Sequence, residues 1–228
     1  MSNPLRILAA VAAMAVLAVG AAEAVPAGAL HPNNVGITVF GFAFDGTTNT
    51  ITLRETWGNS GVGIVQLTGL TEGVDYTVVK LITNSSGDTW TSFANELLDP
   101  AGSGPDGGDD PIPVFAPAGF TRSNDADGLS FAQGSALPRT STQFGIVAVD
   151  ELAGRDFIDF FGGAFNSGEV DLPMTFGLRD FQVANNEPFL LVQRPNERSI
   201  DVPYPGSLLL MGGGLAVSAL ALGLRRAG

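Results

Sequence analysis

Carboxylates are the side chains through which this sequence can do most chemistry: 23 Asp and Glu stand against 11 Lys and Arg. Two Asp-rich turns carry the right donor type for a hard cation. Asp106, Asp109 and Asp110 lie among glycines in PDGGDD, and Asp125 and Asp127 lie in SNDADG, ahead of Gly128. Calcium takes about 6–8 oxygens from flexible loops, so either turn can supply part of such a shell. The second turn is not an EF-hand. Counted from Ser123, its last ligand position is Gly134, where a bidentate Glu is required. Asp also caps turns through its own backbone, so plain solvated turns explain the same residues without a metal, and calcium binding is the lesser alternative.

Other reactive constellations are thin. There is no cysteine, which removes disulfides, thiol nucleophiles and sulfur-based zinc sites. The single histidine, His31, stands near the expected mature N-terminus, in a stretch expected to be loosely held, and is badly placed for a Ser-His-Asp triad. PDGGDD opens no helix and lacks a lysine, so it is no phosphate loop. Carboxylate pairs for glycoside cleavage can be drawn in too many ways to single one out. Phe157, Phe160 and Phe161 beside Asp156 and Asp159, with Trp57 and Trp90, are candidates for a sugar-stacking platform; aromatics of this kind more often build cores. No enzyme signature emerges.

Charge narrows the partners further. The whole chain carries a net charge of −12. Between Val25 and Leu224 there are 8 basic and 22 acidic residues, a net −14. Such a body repels phosphate backbones, which argues against nucleic acid.

The elements that must position these groups read as short strands. Val35–Phe44 is apolar on both faces, which predicts a strand in a sheet interior, followed by an Asp45-Gly46 turn. Thr50–Trp57 alternates Ile51, Leu53, Glu55 and Trp57 against Thr52, Arg54 and Thr56, as a half-exposed strand does. Gly61–Leu67, Val74–Thr83, Gln143–Val149, Val170–Arg179 and Pro188–Gln193 also read as strands. Thr89–Leu98 fits strand or helix, and its neighbours favour strand. There, alternation groups Trp90 with Ser92, Ala94, Glu96 and Leu98, opposite Thr91, Phe93, Asn95 and Leu97. Asp99–Pro117 holds five Pro and four Gly, a density that predicts a long surface loop. Asp150–Gly163 is expected to hold a short helical turn. Turns every ten or so residues point to one all-β domain over residues 25–201, a jelly-roll-like β-sandwich.

Both ends differ from this body. Residues 1–24 read as a signal peptide: Arg6, then an apolar run, then Ala22-Glu23-Ala24 as a small-x-small cleavage site, with cleavage after Ala24 or, alternatively, Ala22. Residues 202–228 hold Val202-Pro203-Tyr204-Pro205, then 19 uncharged residues from Gly206 to Leu224, then Arg225-Arg226. As a helix that run spans about 28 Å, close to the hydrocarbon thickness of a bilayer. The Arg pair places the C-terminus on the cytoplasmic side, and the signal peptide places the body on the other. An uncleaved membrane anchor would share this topology.

A Pro-containing motif, one span and a basic end, in that order, resemble the PEP-CTERM sorting signal. Val202, Pro203 and Pro205 match its Val-Pro-Glu-Pro, with Tyr204 in place of the glutamate, which is closer to the variant VPLPA-CTERM tails. In the body, WTSFANELLD, FTRSNDADGLSFAQGSALPRTS and the late RDFIDFFGG, FGLRD and PFLLVQRPN are similar to domains that accompany such tails. The resemblance implies an exosortase-type processing enzyme as partner. It also implies inner-membrane tethering before processing, then a structural or adhesive place at the cell surface or in the biofilm matrix, with exopolysaccharide nearby. A secreted carbohydrate-active enzyme and a calcium-stabilised adhesin stand as alternatives.

Overall fold

The computed structural model describes residues 25–103, 112–123, 129–132, 134–150, 155–180 and 188–199. The signal peptide, the Pro motif, the expected membrane helix and the Arg pair lie outside the described residues, as do all five candidate calcium ligands. Among the described residues there is no helix, and so none long and apolar enough to cross a membrane.

Among the described residues there are thirteen strands: β1 (Ala27–Leu30), β2 (Ile37–Asp45), β3 (Thr50–Trp57), β4 (Gly63–Thr68), β5 (Asp75–Asn84), β6 (Trp90–Pro100), β7 (Phe120–Arg122), β8 (Leu129–Ser130), β9 (Thr140–Ser141), β10 (Phe144–Asp150), β11 (Phe157–Phe165), β12 (Leu172–Asp180) and β13 (Phe189–Pro195). One sheet runs β1-β4-β13-β6-β11-β10, with β7 pairing the end of β6. The other runs β2-β3-β5-β12-β8, with β9 also on β12. A single apolar cluster joins them, with Leu53, Trp57, Val78 and Phe176 from the second sheet meeting Val65, Phe93, Phe160 and Leu191 from the first. That shared core makes the molecule a two-sheet sandwich. Among the described strands all pairs are antiparallel except β3–β5, a parallel pair that an all-antiparallel jelly roll lacks.

Alternation explains the second sheet. Along β5 every even residue from Tyr76 to Asn84 is buried and every odd one is half-buried. The first sheet behaves differently: β13 is buried throughout and β6 is buried from Ser92 to Asp99. Its outer face carries a second apolar cluster of Ile64, Leu98, Leu190 and Val192, roofed by Phe115, Ala116 and Phe120. A strand covered on both faces loses its polar alternation, which is why WTSFANELL reads ambiguously in sequence.

Three expectations need correcting. Val35–Phe44 is not interior: β2 is the edge strand of its sheet, Val39 is 62% exposed, and the register slips between Ile37 and Val39. A slipped, twisted edge resists pairing with another chain. No helical turn fills the stretch up to Gly163 among its described residues, because Phe157–Phe165 forms β11 between β6 and β10. Asp99 and Pro100 belong to β6, so the Pro- and Gly-rich connection begins at Ala101.

Candidate functional site

The aromatic platform is not formed. Trp57, Trp90 and Phe160 are completely buried in the core between the sheets, whereas Phe157 and half-buried Phe161, out of phase with Phe160 on β11, pack against Arg155 and Arg198 on the other face. Trp57 meets Trp90 and Phe93 edge-on, with centroids 5.5 and 5.4 Å away, the preferred geometry for packed rings. Trp90 shares this core with Phe93 despite their odd spacing, and the β6–β11 register shifts opposite it. His31 is held in place: its N–H donates to the Ile64 carbonyl at 3.0 Å, and its ring stands edge-on to Phe120. Burial lowers its pKa. Among the described residues no group of three or more His, Cys, Asp or Glu is arranged to hold a metal ion.

What the fold does assemble is a charged centre inside the apolar core. Lys80, the only lysine of the chain, is wholly buried on β5, in phase with Tyr76, Val78 and Ile82. Glu55 is buried on β3, in phase with Ile51, Leu53 and Trp57. The parallel register sets Leu53 beside Lys80 and Glu55 beside Ile82, so the two charges are diagonal neighbours. Their ion pair, Lys80 Nζ to Glu55 Oε2, is 3.2 Å. The opposite sheet supplies two amides from directly paired positions, Asn95 on β6 and Gln193 on β13.

Every donor in this centre finds an acceptor. Lys80 Nζ donates to Glu55, to Asn95 Oδ1 at 3.4 Å and to Gln193 Oε1, so an ammonium's three donors meet three acceptors. Gln193 Nε2 donates to Glu55 Oε1 at 3.0 Å, and Trp57 Nε1 donates to Glu55 Oε2 at 3.2 Å. Asn95 Nδ2 donates to the Ile158 carbonyl at 3.2 Å. The ammonium also lies 4.4 Å from the Phe93 ring centroid. Burial pushes the Lys80 pKa down to about 8, against the opposing pull of Glu55. A buried charge survives only where it is paired and hydrogen-bonded in this way.

A second polar layer lies on the outer face of the first sheet. Buried Glu96 takes Arg122 Nε at 2.9 Å and Arg194 Nη2 at 3.0 Å. Arg194 stacks 3.8 Å from the Phe115 ring, and Arg198 3.7 Å from Phe161. Asp159 accepts the Ser199 N–H at 2.5 Å. These contacts pin residues 194–199 against the sheet. Elsewhere an open hollow of about 330 Å³ lies between Val25, Phe44, Asn49, Thr71 and Tyr76.

Sequence reasoning placed Glu55 and Asn95 on faces with apolar neighbours without drawing them together. In the sequence Lys80 stands out only as the one lysine of the chain, and Gln193 only as the end of a strand. The signal was phase: each lies an even number of residues from buried apolar neighbours on its own strand. The fold and this interior define a class: a two-sheet β-sandwich with a lysine–carboxylate–amide centre in its core. Compared with protein-family models, curated proteins and solved structures, the chain matches none.

Proposed function

We propose that this chain is an exported surface or matrix module: a β-sandwich carried across the inner membrane by residues 1–24 and sorted by the tail 202–228 through an exosortase-type enzyme. Its role is structural or adhesive, in contact with exopolysaccharide, and not catalysis on a soluble substrate. One observation carries the reading: motif, apolar run and Arg pair follow each other at the end of the chain, with the topology that the signal peptide requires.

The domain's own limits support it. β1 starts at Ala27, so cleavage after Ala24 spares every strand. At the other end Ser199 is pinned to Asp159, and the apolar run begins seven residues later at Gly206. An extended chain of that length reaches at most about 25 Å, which holds the sandwich close to the bilayer until the tail is cut. Deleting the host's exosortase-type enzyme is expected to trap the uncut chain in the inner membrane. Unchanged release in that strain would show that the tail is processed by another route or serves as a plain anchor.

A further inference from the structure

The core centre holds, in contact and shielded from water, an amine, a primary carboxamide and a carboxylate that touches both. Glu55 is the connecting group: Oε2 takes Lys80 Nζ at 3.2 Å while Oε1 takes the Gln193 amide nitrogen at 3.0 Å. Lys80 Nζ also contacts the Gln193 side-chain oxygen. The nucleophile, the acyl group and the leaving nitrogen therefore share one proton carrier. We propose that this centre modifies itself: the Lys80 amine displaces ammonia from the Gln193 side-chain amide, leaving an isopeptide bond that joins β5 to β13 across the two sheets.

The balance is simple. Nζ attacks Cδ of Gln193, and Glu55 takes a proton from Nζ and delivers it to Nε2. The Cδ–Nε2 bond then breaks, ammonia leaves, and Glu55 ends as it began. Amine and primary amide become secondary amide and ammonia, and no oxidant or cofactor enters. Lysine is a nucleophile only as the neutral amine, and burial, which lowers its pKa to about 8, makes that form accessible. Holding the reactants in contact replaces an improbable encounter with an intramolecular step. Asn95 is a positioning residue. Its oxygen holds Nζ at 3.4 Å, while its own nitrogen is committed to the Ile158 carbonyl and not to Glu55.

Because Glu55, Lys80 and Gln193 lie far apart in sequence, the bond forms only in the folded chain. It is independent of the sorting reading, and its failure would leave that reading untouched. The test is peptide mapping by mass spectrometry of the full chain purified folded. Trypsin should fail to cut at Lys80, and the peptide spanning it should be joined to the one carrying Gln193, about 17 Da lighter than the two together. Glu55→Gln is expected to slow linkage by about 10²-fold or more. Chain recovered unfolded should link faster when folded at about pH 9 than at about pH 6, by roughly one to two orders of magnitude, since only the neutral amine attacks. Free Lys80 and Gln193 peptides from the folded wild type would overturn the proposal, as would a mass loss that persists in Lys80→Arg. A link mapped to Asn95 would overturn the assignment of Gln193.

Discussion

Replacing Glu55 with Ala is expected to lower the unfolding free energy by about 3–5 kcal/mol, because it leaves the Lys80 charge buried without its counter-ion. It also removes the acceptor for Trp57 Nε1 and Gln193 Nε2. Both charged side chains are completely buried, so bulk solvent does not reach them to take over these roles. The informative comparison is with Glu55→Ala/Lys80→Met. The first links far more slowly than the wild type and the second cannot link at all, yet the second no longer buries a lone charge and should be the more stable of the two variants by most of that amount. Urea unfolding of both at neutral pH checks this. A Glu55→Ala chain within about 1 kcal/mol of wild type would mean that the charges are not held as described.

Trp57→Ala is the second large effect, also about 3–5 kcal/mol. Its indole occupies a slot that two glycines make possible: a Cβ on Gly63 or Gly36 would stand 2.3 or 2.4 Å from the ring. Those glycines offer no side chain to refill the space, so the cavity stays open and the edge-on contacts to Trp90 and Phe93 are lost. Urea unfolding again measures it. A loss under about 1 kcal/mol would show that the slot collapses around the smaller side chain.

Much of the architecture was legible because most strands have one buried face. Thr50–Trp57 matches β3 end to end, and Val74–Thr83 lies within a residue of β5. The failures have physical causes. DFIDFFGG is too short an apolar run for periodicity to separate helix from strand, and its pairing with β6 and β10 decides the matter. β7, β8 and β9 are two or three residues long and exist only through their partners. β2 has the apolar composition of an interior strand, and only the order of the sheet reveals it as an edge. The core centre was half-visible. Alternation put Glu55 on an apolar face, but the Glu55–Lys80 contact depends on the β3–β5 register, which follows from β4 crossing to the other sheet. Gln193 and Asn95 enter from that other sheet, a meeting no local pattern encodes.

Sorting through the tail is the central functional claim, and intact mass tests it most directly. The chain would be recovered from the envelope and medium of its native host, beside a Pro203→Ala/Pro205→Ala variant. The wild type is expected to have lost residues 1–24 and the membrane run, while the variant keeps its tail and stays in the membrane. If both chains retain Arg225 and Arg226, the tail is an uncleaved anchor, and the placement of this sandwich in an exopolysaccharide matrix loses its support.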